Sequence, residues 1–193
     1  MDLPSPGSGP IMVAVAGPNG AGKTTFYNAH LRAAGLRFVN ADILARAIDL
    51  DPYVAAQLAE SLRRELFKRR ESFVFETVFS DPAGDKLRFL KEAAGSDYTV
   101  ILCFIGIAGV EMSEERVAMR VSQGGHDVPP GKLVSRFPRT LANLRAAIRM
   151  LPHVLIYDNS HLASPFRHVA TFLQGRLASS SAPIPEWLQP LLD

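Results

Sequence analysis

Residues Gly17-Pro18-Asn19-Gly20-Ala21-Gly22-Lys23-Thr24 complete the pattern G-x-x-x-x-G-K-[ST], and Thr25 follows directly. An apolar run, Ile11 to Ala16, leads into them, and a helix-like stretch leads out. That order matters. A strand brings the chain to a tight turn, where glycines let backbone N–H groups close around phosphate oxygens, and a helix N-terminus adds partial positive charge. Lys23 then reaches the β- and γ-phosphates, while the Thr24 hydroxyl can hold Mg²⁺. Residues 17–25 are therefore expected to bind a nucleoside triphosphate with Mg²⁺. The guanine-reading pattern Asn-Lys-x-Asp is absent, which favours ATP.

Chemistry on a phosphate needs further groups, and in alternating α/β sheets these gather at the carboxyl ends of strands. The second expected strand, Leu36 to Asn40, ends at Asn40-Ala41-Asp42. A carboxylate at Asp42 can take the proton of an attacking hydroxyl and align its oxygen with the γ-phosphorus. The plainer role for Asp42 is to cap the helix that follows. The third expected strand ends at Glu76-Thr77, where Glu76 could hold an acceptor hydroxyl or a water on Mg²⁺ and Thr77 could bond beside it. No acid ends the fourth strand, and Asp158 ends the fifth, so Mg²⁺ is expected to rest mainly on Thr24 and the nucleotide. Arg116 and Arg120 lie four apart on one helix, and Arg136 and Arg139 flank Phe137-Pro138. Arg120 and Arg136 are the expected partners of charge developing on the transferred group. His126 beside Asp127 lacks further ligands at zinc spacing and reads as a loop contact to substrate or as a structural turn.

The elements that must position these groups alternate. Strands are expected at Ile11–Ala16, 36–40, 72–76, 98–107 and 153–157. Helices are expected at Lys23–Ala34, 43–49, 52–70, from Asp81-Pro82 to Ala94, 113–121 with Ser113 as cap, and 132–150. Residues 166–178 read as a hairpin. The fold class is thus α/β: a three-layer P-loop sandwich with a parallel sheet of about five strands. Residues 1–10 are expected to be flexible, 11–182 to form one domain, and 183–193, with Trp187 and Leu188, to dock as a tail. The net charge of +2 on 193 residues is too small to imply a nucleic-acid partner. The basic run from Arg63-Arg64 to Lys68-Arg69-Arg70 carries interleaved acids and reads as a solvated helix face. Cys103 is the sole cysteine and falls in an apolar run, so it reads as a small buried hydrophobe. No apolar run approaches the ~20 residues that span a bilayer, and a cytoplasmic location is expected.

Taken together, several motifs resemble the zeta toxin-like P-loop kinases, particularly their chromosomal branch. They are the loop at 17–25, Asn40-Ala41-Asp42, Phe75-Glu76-Thr77, Arg120, Gly124 to Pro129, Arg136 to Leu144, and Tyr157-Asp158-Asn159-Ser160. The resemblance implies ATP and Mg²⁺ as cofactors, Lys23 as phosphate lysine, Asp42 as base, Glu76 as a contact to the acceptor sugar and Arg120 as one of two transition-state arginines. It further implies a UDP-N-acetyl sugar such as UDP-N-acetylglucosamine as acceptor, and an antitoxin protein as partner. The chain departs from the family in carrying Thr77-Val78 after the glutamate, where the toxins have Gly and then Thr. It also has Val128-Pro129 where the toxins' second arginine precedes Thr-Pro, and Arg136 is the candidate to substitute, which arginine does so staying open. Other acceptors, such as an antibiotic or nucleoside, and a nucleotide-dependent regulatory module are the rival expectations.

Overall fold

The computed structural model describes residues 9–49, 51–124 and 127–192. Most of the expected flexible N-terminus, residues 1–8, and His126 lie outside these, so the expectation for His126 finds no test. Five strands, β1 (Ile11–Ala16), β2 (Arg37–Val39), β3 (Phe73–Thr77), β4 (Thr99–Gly106) and β5 (His153–Asp158), pair in parallel in the order β2-β3-β1-β4-β5. The expected hairpin is present as β6 (Arg167–Leu173) and β7 (Arg176–Ser180), but it joins the same sheet antiparallel beyond β5. Among the described residues the sheet therefore has seven strands instead of about five. Composition hid this extension because β7 is exposed along its whole length and carries no apolar alternation strong enough to announce a sheet strand.

Period-two alternation divides each central strand between two cores. On one face Met12, Ala14, Ala16, Phe73, Phe75, Leu102 and Phe104 pack with Leu66, Phe89, Leu90, Leu144 and Trp187. On the other, Val13, Val15, Ile101, Cys103 and Ile105 pack with Phe26, Tyr27 and Leu31. Cys103 is fully buried, and the lack of solvation pushes its thiol up to about 12, so it behaves as the expected small hydrophobe.

Among the described residues six α-helices cover the sheet: α1 (Lys23–Phe26), α2 (Ala41–Ala47), α3 (Pro52–Lys68), α4 (Asp85–Ala94), α5 (Val110–Ser122) and α6 (Pro130–Met150). The expected helix Lys23–Ala34 is regular only through Phe26. It then widens to a π turn at Tyr27–Leu31, tightens to a 3-10 turn at Arg32–Ala34 and stops at Gly35, φ 68°. Asp81-Pro82 does not start α4; Gly84 precedes it, and Asp81 Oδ2 accepts the Lys86 N–H instead. Ser113 does not cap α5. It lies inside the helix, buried, and its hydroxyl donates to the Asn19 carbonyl at 2.7 Å. Helix α6 runs unbroken through Pro138, whose missing N–H costs one helix bond. Tertiary bonds hold it down: Thr140 Oγ1 donates to the Val78 carbonyl at 3.0 Å, and Asn143 Nδ2 donates to the carbonyls of Phe79 and Asp81. Among the described residues no helix is long and apolar enough to cross a membrane.

Candidate active site

The loop at 17–24 needs glycine at two points for different reasons. A Cβ on Gly17, φ 147°, would stand 2.1 Å from the Ile105 carbonyl oxygen, because the loop leaves β1 pressed against β4. Gly22, at φ 85°, is the residue before α1, and only glycine takes that left-handed turn without strain. Asn159, just past β5, locks the loop from the side by donating from Nδ2 to the Ala21 carbonyl at 2.9 Å. Pro18 is buried, and Asn19 and Gly20 are half-buried. Thr25 points away, exposed, on the first turn of α1.

Lys23 is 7% exposed, and its Nζ donates to the Pro18 carbonyl at 3.0 Å. Burial pulls its ammonium below the usual lysine range. The carboxylates of Glu76 and Asp42 oppose that shift, and the charges of Arg120 and Arg136 add to it. One buried cation thus feels both acids and both arginines singled out in the sequence, so all four side chains lie within electrostatic reach of Lys23.

Glu76 is a hub of hydrogen bonds beside the loop. Its Oε2 accepts from the Thr24 hydroxyl at 2.7 Å and from Asn40 Nδ2 at 2.6 Å, and its Oε1 lies 3.9 Å from Lys23 Nζ. Thr77, next in β3, turns its hydroxyl to accept the Phe79 N–H at 3.0 Å. Asn40, not Asp42, caps α2: its side chain accepts the Ile43 N–H. The capping role weighed for Asp42 is therefore taken by its neighbour, because the residue at the end of β2 has extended backbone while Asp42 is already in the first helical turn. Asp42 is left exposed on the rim of the cleft.

That cleft has a volume of about 440 Å³ and runs from Asn19, Asn40, Asp42 and Glu76 past Arg120 and Arg136 to Tyr53, Arg63, Lys86 and Lys132. Arg120 comes from the last turn of α5 and Arg136 from α6. Arg116 lies instead against the backbone, its guanidinium 3.5 Å from the carbonyls of Gly20 and Ser160. Arg139 bonds Ser135 on its own helix and faces a neighbouring hollow with Asp81. The acid ending β5, Asp158, is buried and accepts from Trp187 and Ser160, so it braces the fold. Among the described residues no three His, Cys, Asp or Glu side chains form a metal cluster. The Thr24 hydroxyl and Glu76 carboxylate suit a cation that draws its other ligands from phosphates and water.

One cleft residue differs from its sequence expectation. Arg63 is not part of a solvated basic face; it is 5% exposed, lines the cleft, and sits over the Phe75 ring, Cζ 5.1 Å from the centroid. Arg64 on the same helix and Arg69 just past its end are solvated as expected. The signal available was spacing: Ala56, Ala59 and Arg63 fall on one helical stripe, with alanines too small to cover the arginine.

A glycine-rich phosphate-binding loop after the first strand of a mostly parallel sheet, with carboxylates and helix-borne arginines around it, gives the chain the fold of the P-loop proteins. The family model "Zeta toxin" matches residues 45–168, more than half of the chain, and the chain belongs to the zeta toxin family. No curated protein sequence matches it. Among solved structures, the AvrRxo1-ORF1:AvrRxo1-ORF2 complex with sulphate ions is similar at TM-score 0.70 and 18% identity, covering 91% of this chain and 62% of that chain. The same complex with ATP gives 0.69 and 18%, covering 91% and 61%. A toxin–antitoxin structure, PezAT of Streptococcus pneumoniae, gives 0.59 at 15% identity, covering 86% and 74%. A kinase-like protein of Chloroflexus aurantiacus gives 0.55 at 21%, covering 80% and 91%. This chain thus spans about 62% of the length of the AvrRxo1 chain, and identities this low speak for the shared fold.

Proposed function

We propose that the protein is an ATP-dependent kinase that moves the γ-phosphate of ATP to a hydroxyl of a small molecule, with a UDP-N-acetyl sugar as acceptor. The observation that carries this reading is the convergence of Asp42, Glu76, Arg120 and Arg136 around the buried Lys23, all four lining one cleft beside the phosphate loop. The backbone of residues 17–24 cradles the phosphates, and Lys23 exchanges its bond to the Pro18 carbonyl for phosphate oxygens. Asp42 accepts the proton of the acceptor hydroxyl as its oxygen attacks the γ-phosphorus; the bond to the β-bridging oxygen breaks and ADP leaves. Arg120 and Arg136 offset the negative charge on the transferring group. Thr24 and Glu76 would hold Mg²⁺, which would supply charge neutralisation to the nucleotide phosphates. Asn40 keeps Glu76 turned toward Thr24 while capping α2. Family membership supports a second part of the reading, an antitoxin protein as partner.

The test is a mass-spectrometric phosphotransfer assay with Mg-ATP, offering UDP-N-acetylglucosamine, nucleosides and aminoglycosides to wild type and Asp42→Asn. The expected product is a phosphorylated UDP-sugar formed about 10²–10⁴-fold more slowly by the variant. ATP hydrolysed at equal rates by both proteins, with every acceptor unmodified, would instead favour a regulatory nucleotide-hydrolysing module.

A further inference from the structure

Beyond the groups that face the phosphates, the cleft has a second charged end with no part in that chemistry. Arg63 on α3 and Lys86 in the first turn of α4 both line it. Both lean on one carboxylate: Glu60 Oε2 accepts from Arg63 Nη2 and, at 2.7 Å, from Lys86 Nζ. Three cations share a single acid here, since Arg64 Nε also lies 3.5 Å from Glu60 Oε1, while Asp81 faces the adjoining hollow and accepts the Lys86 backbone N–H. Arg63 is 5% exposed, yet its buried Nε has no hydrogen-bond partner among the described residues. A buried guanidinium N–H without an acceptor is unusual, since such groups are nearly always satisfied. Its ring contact with Phe75 holds the guanidinium plane in place, and Ala56 and Ala59 on the same stripe leave room in front of it.

We propose that Arg63 and Lys86 form an oxyanion subsite that binds a phosphate or carboxylate carried by the acceptor, so that this kinase selects acidic alcohols over neutral ones. The fork of an arginine and the point charge of a lysine together suit an oxyanion of that kind. This inference rests on the kinase reading for its meaning as acceptor selectivity, but the binding itself can be measured apart from it.

The protein is loaded with Mg²⁺ and a non-hydrolysable ATP analogue to fill the phosphate loop, and arginine Nε resonances are followed by NMR. Inorganic phosphate is titrated in one arm and acetate in the other. The Arg63 resonance, identified by its loss in Arg63→Gln, is expected to shift saturably with one of them, and the anion that binds tells phosphate from carboxylate. Lys86→Met, a change at a partly exposed side chain, is expected to weaken that binding at least tenfold and stays informative should Arg63→Gln fold poorly. In phosphotransfer, Lys86→Met should raise the KM for UDP-N-acetylglucosamine at least tenfold with kcat and the ATP KM within twofold. An Arg63 resonance unmoved by both anions, or anion binding unchanged in Lys86→Met, overturns the subsite whatever the kinase assay gives. Anion binding with no phosphotransfer to any acceptor leaves the subsite standing and removes the kinase reading.

Discussion

Glu60 illustrates how a single carboxylate records its surroundings. Partial burial alone would push its pKa up, but the hydrogen bonds and charges of Lys86 and Arg63 win and hold it down at about 2, against an ordinary 4.5. A depressed native pKa means that the unfolded chain binds the proton first as pH falls. The stabilisation is therefore complete above about pH 4.5 and is lost as pH drops through about 2. Because Glu60 is 35% exposed, solvent screening reduces the effect to about 1 kcal/mol. Acid unfolding followed by circular dichroism should show Glu60→Gln to be less stable than wild type at pH 6. The difference should shrink toward pH 2; a constant gap across that range would contradict this account. Lys23 shows the opposite balance. Burial dominates, so the ammonium is held in an unfavourable place until phosphate oxygens arrive, as expected of a group reserved for a ligand.

At the scale of elements, the question is how a long helix delivers Arg136 to the cleft. Helix α6 carries a proline in its middle, and its register over the sheet is set by side chains that reach the segment after β3. Thr140 is fully buried, and its hydroxyl meets the Val78 carbonyl, one turn after Arg136. Phe79, the next residue, is buried at φ 62°, a conformation that costs a non-glycine residue energy and that Asn143 and Thr77 hold by bonding its carbonyl and N–H. Thr140→Val keeps the volume but leaves the Val78 carbonyl unsatisfied, at a cost of about 1–3 kcal/mol. Thermal melts should show that loss. If α6 positions Arg136 for transfer, kcat should fall several-fold while the ATP KM stays near wild type. A matching rise in ATP KM would mean that the phosphate loop, not α6, had moved.

Across the whole molecule, the far C-terminal residues close the sheet at the end that carries the site. Trp187 packs on Phe104 and over Gly106, where an added Cβ would lie 2.1 Å from the indole, and its Nε1 donates to the buried Asp158 at 3.0 Å. Asn159, the neighbour of Asp158, holds the phosphate loop at Ala21. Trp187→Ala should therefore cost about 3–5 kcal/mol, a fall in Tm of order 10 °C for a chain of this size, with weaker ATP binding in the surviving folded protein. An unchanged Tm would show that the C-terminal segment adds nothing to the sheet. The strand–loop–helix order at 17–24, the end of β3 at Glu76-Thr77 and the parallel α/β order were legible in the sequence, because backbone turns and period-two burial are written in neighbouring residues. Sequence could not show that Thr24 and Glu76, 52 positions apart, share a hydrogen bond, that Asn40 caps in place of Asp42, or that β6 and β7 extend the sheet. Nor could it separate the buried Arg63 from the solvated Arg64 beside it. Those outcomes depend on which helix face meets the sheet and which strand edge is free, and such choices are made by the packing of distant segments.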